Sequence, residues 1–152
     1  MKRLAVVLAT VGPLGHLPVA PGTAGSLVAL PLLPGLAMVR DRSTVAYAIA
    51  VVALIAVAVW AAGRAEDTLG GSDHSAIVID EVAGMVATGL LLPGTWTAAV
   101  LGFALFRLFD VVKPYPAGLI DARAEGGFGV VGDDLVAGLY AGLVGRVILG
   151  LV

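Results

Sequence analysis

Residues 44–63 read TVAYAIAVVALIAVAVWAAG, a run of twenty positions without a charged side chain. At about 1.5 Å per residue, a helix of this length measures roughly 30 Å, which is the thickness of a bilayer hydrocarbon core. The whole chain has the same character, since 59% of its 152 residues are hydrophobic, 13% are charged and the mean hydropathy is +1.02. The stretch therefore predicts a transmembrane helix in an integral membrane protein.

Four further segments are apolar enough to form helices of the same bundle: 26–39, 82–92, 97–109 and 135–152. Pro31 and Pro34 predict a kink in the first of them. The second and third are short for a full crossing and form a helical hairpin in this interpretation, while the last is long enough to span. We therefore expect an all-α fold, a single domain over residues 1–152 that forms a compact multi-helix membrane bundle with polar loops and an active site on one face.

Positive charges fall unevenly on the two sides of this bundle. If all five segments cross the bilayer, one side carries Arg40, Arg42 and Arg146. The other side carries the larger group, Lys2, Arg3, Arg64, Arg107, Lys113 and Arg123. The positive-inside rule makes the larger group cytoplasmic, and the same topology puts most of the acidic residues on that side.

Composition also excludes several classes of protein. The net charge of −2 and the absence of a basic stripe with interleaved aromatic residues exclude a nucleic-acid binder. The chain contains no cysteine, which excludes disulfides, thiolate nucleophiles and sulfur-ligated zinc. Its two histidines are too few for most histidine-rich metal sites.

The acidic residues are concentrated in a way that solubility does not require. Ten of the eleven lie in two windows, Glu66 to Glu81 and Asp110 to Asp134, and four of them form the adjacent pairs Asp80-Glu81 and Asp133-Asp134. Like charges brought together cost free energy unless a cation is held there, and carboxylate oxygens are ligands that Mg²⁺ prefers. The pattern predicts a divalent-metal site on a hydrophobic helical scaffold.

Two polar segments are candidates for phosphate contacts. Residues 21–26, PGTAGS, open an apolar helix, so that backbone N–H groups and the hydroxyls of Thr23 and Ser26 would suit a phosphate; helix capping is the alternative. Arg107, Asp110 and Lys113 are spaced by three along one helical face, where two cations beside an acid would suit a phosphate next to a metal. Stabilisation of a helix C-terminus by cations is the alternative here.

The acidic pairs and the loop histidine have other interpretations as well. Arg107 or Lys113 would neutralise the first pair without any function. His74, beside Asp73 in a glycine-rich loop, is either a proton donor or acceptor or a solvated side chain. The second pair follows the glycine-rich stretch 126–132, and its two acids would serve as the N-cap and first-turn charge of the last helix.

At these residues the chain resembles the phosphatidylglycerophosphatase A family. Four strings carry the resemblance, in the order and spacing typical of the family, and together they cover residues from about 16 to 145: PGTAGS at 21–26, SDHSAIVIDEVAGM at 72–85, FRLFDVVKPYP at 106–116 and GGFGVVGDDLVAG at 126–138. The resemblance implies a Mg²⁺-dependent lipid phosphatase that hydrolyses phosphatidylglycerophosphate to phosphatidylglycerol and phosphate. It also implies a multi-pass protein of the bacterial inner (plasma) membrane, with a phospholipid substrate and an active site facing the cytoplasm.

The resemblance and the pattern of charges together give each candidate residue an expected role. Expected metal ligands are Asp80, Glu81, Asp110, Asp133 and Asp134. Expected catalytic residues are Asp80, Glu81, Asp110 and Asp134, with His74 or Asp73 as proton donor to the leaving group. Expected substrate-binding residues are Thr23, Ser26, Arg107 and Lys113. Glu66 and Glu125 have no expected role and are interpreted as solvated loop charges.

Other functional classes remain open from the sequence. A CDP-alcohol phosphotransferase would share the size and metal dependence, but its DGxxAR…GxxxDxxxD pattern is absent. A small ion channel or transporter would use the clustered carboxylates as a cation site, but it predicts acids spread through the membrane depth. A membrane subunit without activity would not explain the density of polar motifs. The oligomeric state is open, homo-oligomers included.

Overall fold

The structure, a computed structural model, describes residues 2–70 and 74–151. Its α-helices are α1 Lys2–Ala9, α2 Pro21–Ala29, α3 Leu32–Arg42, α4 Thr44–Leu69, α5 Ile79–Gly89, α6 Trp96–Val112, α7 Ala117–Arg123 and α8 Gly126–Leu151, with a 3₁₀ turn at Leu14–His16. These described residues contain no β-strand. The all-α membrane bundle expected from the sequence is confirmed.

Of the five apolar segments in the sequence, the described residues form three stretches that are long and apolar enough to cross a membrane. They are Pro21–Arg42, Thr44–Leu69 and Gly126–Gly150. The first is bent, because α2 ends at Ala29 and α3 begins at Leu32, on either side of Pro31. The segments 82–92 and 97–109 form the expected hairpin, as parts of α5 and α6. With 11 residues, α5 is too short to cross a bilayer core by itself.

Capping explains where the long helix α4 and the hairpin helix α6 begin. The Ser43 side chain accepts a hydrogen bond from the backbone N–H of Ala46, and Thr95 accepts one from Ala98, both at 3.2 Å. At its other end α4 stops at Gly70, which adopts a left-handed conformation with φ of 87° and donates its N–H to the carbonyl of Glu66. These are ordinary N- and C-caps that leave few backbone groups unpaired in an apolar environment.

Helix α5 is buried at the centre of the bundle, and α8 is the helix it contacts most extensively. Glycines allow this contact: a Cβ at Gly138 would collide with the carbonyl oxygen of Gly84, and a Cβ at Gly142 would lie 2.7 Å from the carbonyl oxygen of Thr88. Small residues spaced by four let two helix backbones approach closely in an apolar environment. The G-x-x-x-G pair of the last helix therefore serves packing within the chain.

Helix α8 begins nine residues earlier than the sequence suggested. The glycine-rich stretch 126–132 belongs to the helix and is not a loop leading into it, because Gly127 packs against the backbone of α4 at Val59 and Gly63. Asp133 and Asp134 consequently lie two turns inside α8, with only 6% and 3% of their surface exposed. The interpretation of these two acids as helix caps is wrong.

The two ends of the bundle differ in character. The C-terminus of α3 and the turn between α5 and α6 lie together at one end, where Arg40 donates a hydrogen bond to the carbonyl of Leu92 at 3.4 Å. The opposite end brings together the beginnings of α2, α5 and α8 and the ends of α4 and α6, with α7 beside them. Most of the acidic side chains lie at this second end.

Candidate active site

An open cavity of about 730 Å³ occupies the acidic end of the bundle. Its lining comes from the end of α4, the beginning of α5, the end of α6, α7 and the first two turns of α8. Nine acidic and two basic side chains line it: Glu66, Asp67, Asp80, Glu81, Asp110, Asp121, Glu125, Asp133, Asp134, Lys113 and Arg123. All five acids expected to bind metal thus lie around one cavity.

Three of those five acids converge on one point. Asp80, Glu81 and Asp134 each offer a carboxylate oxygen, and these atoms all lie within 4.8 Å of one another. One oxygen of each (Asp80 Oδ1, Glu81 Oε2 and Asp134 Oδ2) is buried and has no hydrogen-bond partner among the described residues. Burial without a partner costs a carboxylate several kcal/mol, so these three oxygens require a cation or a proton.

Where the three acids converge, burial and mutual repulsion disfavour the ionised form of their carboxyl groups. Burial raises the pKa of Asp80 well above its ordinary value, and the negative charges of Glu81 and Asp134 raise it further. Burial likewise raises the pKa of Glu81, although its hydrogen bond with Asp80 and the nearby charge of Arg107 act in the opposite direction. In the absence of a cation, the protein holds more protons here than free carboxylates would.

The helices fix the positions of these acids tightly. Asp80 and Glu81 lie in the first turn of α5, and Asp134 faces them from α8. A Cβ at Gly84 would lie 2.9 Å from the carbonyl oxygen of Asp134 and closer still to the ring of Phe106, so the backbones of α5 and α8 are in contact one turn below the acids. The separation of the three carboxylates is therefore set by close helix packing and not by loops.

Arg107 connects the cluster to the fourth expected ligand, Asp110. Its Nη1 lies 2.7 Å from Asp110 Oδ2, one turn along α6, and 3.9 Å from Glu81 Oε1. Both acids keep only 14% of their side-chain surface exposed. The spacing by three expected from the sequence does place Arg107 and Asp110 on one helical face, and it pairs them.

Lys113 occupies the other side of the cavity and holds the fifth expected ligand. Its Nζ lies 2.6 Å from Asp121 Oδ1 and 2.7 Å from Asp133 Oδ2, joining the end of α6 to α7 and α8. Burial acts to lower the pKa of Lys113, but the hydrogen bonds and charges of the two carboxylates outweigh it and raise the pKa above its ordinary value. Asp121 has no expected role from the sequence; α7 packs against the end of α6 and brings this acid, eight residues after Lys113, onto the Lys113 ammonium group.

In the segment 21–26, Gly22 is the residue that lies against the site, whereas the hydroxyls of Thr23 and Ser26 do not line the cavity. The segment forms the first turns of α2, and a Cβ at Gly22 would collide with Glu81 Oε1 and lie 3.6 Å from Arg107 Nη1. Ser26 is fully buried and donates its hydroxyl to the carbonyl of Gly22 at 3.0 Å. Thr23 is half-buried, and neither hydroxyl lines the cavity.

Four residues considered from the sequence remain, namely His74, Asp73, Glu66 and Glu125. His74 does not line the cavity, and its Nδ1 accepts a hydrogen bond from the N–H of Ala76 at 3.2 Å. Asp73 lies outside the described residues. Glu66 is not a loop charge, since it lies in the last turn of α4 and lines the cavity. Glu125, between α7 and α8, is exposed as expected.

The residues present fit a divalent cation of the hard, oxygen-seeking type. Three buried carboxylate oxygens without partners converge within a small space, and the donor set contains neither sulfur nor imidazole. Such all-oxygen sets suit Mg²⁺, which usually keeps further positions for water and phosphate oxygens. Arg107 lies beside Glu81 without lining the cavity, whereas Lys113 lines the cavity from its other side.

Comparisons with known proteins identify the family of the chain. A model of the family "Phosphatidylglycerophosphatase A" matches residues 7–149, so the chain belongs to that family. It is 40% identical over 77 residues to a phosphatidylglycerophosphatase A of Haemophilus influenzae, a match that covers 50% of this chain and 47% of that protein. It is 35% identical over 96 residues to one of Escherichia coli, covering 62% of this chain and 56% of that protein.

A third relative extends over most of the chain. It is a Bacteroides thetaiotaomicron protein provisionally named a phosphatidylinositol-3-phosphatase, 34% identical over 149 residues, which cover 93% of this chain and 92% of that protein. The first two matches, by contrast, span about half the length of those relatives. No solved structure matches the chain.

Proposed function

We propose that the protein is a Mg²⁺-dependent lipid phosphatase that hydrolyses phosphatidylglycerophosphate to phosphatidylglycerol and phosphate. The observation that carries the proposal is the convergence of Asp80, Glu81 and Asp134, three buried carboxylates with unpartnered oxygens, in a cavity at one end of a membrane bundle. Family membership and the names of two relatives support the substrate. The apolar helices would keep the acyl chains of the lipid in the bilayer.

The proposed roles follow from the positions of the side chains. Asp80, Glu81 and Asp134 would hold the metal, which when bound supplies Lewis-acid stabilisation of phosphate charge and makes water more acidic. Arg107 would bind the terminal phosphate from the α6 side, and its pairing with Asp110 fixes the direction of the guanidinium. Lys113 would bind from the α7 side with its third N–H, since two carboxylates take the others.

In the proposed reaction, a water oxygen forms a bond to phosphorus while the bond between phosphorus and the glycerol oxygen breaks. The water proton would pass to a carboxylate that lines the cavity, and the same carboxylate would deliver it to the departing glycerol oxygen. Asp110 and Asp133 are suited to proton transfer, because both line the cavity yet remain outside the group of three converging acids. His74 as the proton donor would require a movement of its loop towards the cavity.

The channel or transporter alternative has no support among the described residues. A conduction path would need acids along the spans, whereas the acids of α4 and α8 lie only at the end that forms the cavity. We further propose that the protein resides in the bacterial inner membrane with this end facing the cytoplasm. The charge distribution along the chain supports that orientation.

Phosphate release from purified protein in detergent–lipid micelles tests the proposal directly. We expect release from phosphatidylglycerophosphate with Mg²⁺, loss of release with EDTA, and recovery when excess Mg²⁺ is restored. Phosphatidylinositol-3-phosphate is the informative competitor, because the third relative carries that name. Absence of Mg²⁺-dependent release from a folded sample would contradict the enzyme proposal, and a preference for the inositol lipid would contradict the substrate.

A further inference from the structure

The cavity is much larger than the terminal phosphate of a lipid requires. Its volume of about 730 Å³ lies in the range that holds drug-sized ligands. The three converging acids occupy its α5 side, whereas α7 and the corner between α7 and α8 form its other side. A second part of the substrate headgroup therefore has room beside the reacting phosphate.

The second part of the cavity contains several acids, among them Asp121 and Glu125, and one cation that forms no ion pair among the described residues. Of the two basic residues that line the cavity, Lys113 is already bound by Asp121 and Asp133. Arg123, in the last turn of α7, makes no ion pair with any residue that the structure describes. A guanidinium with free N–H groups beside a phosphatase site is a ready partner for a second phosphate.

The backbone of α7, which carries the exposed Arg123 side chain, is held in place by its neighbours. Asp121, two residues earlier, bonds to Lys113, and a Cβ at Gly118 would lie 2.9 Å from the Lys113 carbonyl oxygen, so α7 is held against the end of α6. The next residue, Ala124, packs its carbonyl against Gly129 of α8. Gly129 precedes Asp133 by four residues, or about 6 Å along the helix axis.

We propose that Arg123 forms a second anion subsite, which binds the phosphodiester that links the glycerol headgroup to the diacylglycerol of the substrate. The inference rests on the proposed function. Phosphatidylglycerophosphate carries a monoester and a diester phosphate on either side of one glycerol, whereas phosphatidic acid carries only a monoester. Arg123 is thus a specificity-determining residue, because it contacts a group that distinguishes these two lipid phosphates.

The test compares two substrates and four proteins. For wild type, Arg123→Gln, Arg123→Lys and the control Arg64→Gln, kcat/KM is measured on phosphatidylglycerophosphate and on phosphatidic acid. Arg64 is exposed on α4 and does not line the cavity, so its substitution removes the same charge without touching the subsite. We expect Arg123→Gln to lower the ratio of the two kcat/KM values about tenfold, a typical effect of one charge-assisted hydrogen bond, and Arg123→Lys to restore part of it.

A binding measurement keeps the inference testable without turnover. Short-chain phosphatidylglycerol retains the diester and lacks the monoester, and calorimetric titration should show weaker binding to Arg123→Gln than to wild type or Arg64→Gln. An unchanged substrate ratio together with unchanged phosphatidylglycerol affinity would overturn the subsite. Failure of the proposed function looks different, because wild-type protein would then release no phosphate from either lipid.

Discussion

At the scale of single residues, the site contains three carboxylates that repel one another in the absence of a bound cation. Asp80, Glu81 and Asp134 point buried oxygens at one another, and none of those oxygens has a partner among the described residues. Removal of one negative charge should therefore have opposite effects on stability and function. It relieves repulsion in the metal-free protein, but it weakens the proposed metal site on which the proposed reaction depends.

Asp134→Asn tests this opposition. We expect phosphate release to fall at least a hundredfold, about 2.7 kcal/mol, because one of three converging oxygens is lost. In EDTA the variant should melt no lower than wild type, and Mg²⁺ should raise its Tm less than it raises that of wild type. Asp67→Asn, at an exposed position of the same cavity, is the matched control and should behave like wild type. Near-normal turnover by Asp134→Asn would remove Asp134 from the metal site.

The pH dependence of stability follows from the raised pKa values of Asp80 and Glu81. A carboxyl whose pKa is higher in the folded than in the unfolded state binds its proton more tightly when folded, so it favours folding at low pH. Metal-free protein should therefore lose stability as pH rises from the ordinary carboxyl pKa, about 4, through the raised values, and level off above them. Thermal melts in EDTA across this range measure the slope, which Asp80→Asn should reduce. A wild-type Tm that rises with pH through this range would contradict the burial of charged acids.

The sequence identifies the acids of the site but does not show which partner each acid contacts. Asp133 and Asp134 are neighbours with the same side chain, yet Lys113 binds the first and the group of three converging acids includes the second. Adjacent helical residues point about 100° apart, so the partners depend on which helices flank α8. Similarly, the sequence places Gly22 in a candidate phosphate-binding turn, whereas its contribution in the structure is the absence of a side chain beside Glu81.

At the scale of helices, the conformation of glycine-rich stretches is the feature that is hardest to predict from the sequence. Each glycine lowers intrinsic helix propensity by about 1 kcal/mol relative to alanine, so the stretch 126–132 reads as a loop. In the structure this stretch is the first two turns of α8, because Gly127 fits against the backbone of α4 and Gly132 against Ile120 of α7. Close packing outweighs propensity here, and only the three-dimensional arrangement reveals the neighbours.

Two Gly→Ala substitutions separate the contributions of close helix packing and of helix propensity to stability. At Gly138 a Cβ would collide with the carbonyl of Gly84, so Gly138→Ala should destabilise the protein by about 1–3 kcal/mol through overpacking. At Gly35, in α3, a Cβ would meet nothing within 4 Å, so Gly35→Ala should stabilise it by about 0.5–1 kcal/mol through helix propensity. Denaturation in detergent gives both signs, and equal effects at the two positions would contradict the α5–α8 contact.

At the scale of the whole molecule, three apolar stretches run in alternating directions between an acidic end and an opposite end. From the sequence, five crossings remain open because α5 and α6 are apolar as well. Burial of α5 among other helices explains its apolar character equally well, and hydropathy alone does not distinguish a buried helix from a lipid-facing one. The all-α class and the grouping of acids at one end do not depend on whether a helix is buried or faces lipid, so both were predictable from the sequence.

The absence of cysteine makes the orientation directly measurable. Asp41→Cys, exposed at the end of α3, and Thr68→Cys, exposed at the end of α4, report on opposite ends of the bundle. In intact bacterial cells a membrane-impermeant maleimide should label Asp41→Cys, whereas Thr68→Cys should react only after permeabilisation. Labelling of Thr68→Cys alone in intact cells would invert the proposed topology.

The backbone contact between Gly84 and Gly138 has a mechanical consequence. The outer surfaces of α4 and α8 meet the bilayer and feel its lateral pressure and thickness, which vary with lipid composition and growth temperature. The helices α5 and α8 cannot move closer together at that contact, because no side chain there is left to compress. The contact thereby sets a lower limit to the spacing of Asp80 and Asp134, which lateral compression of the bilayer would not reduce.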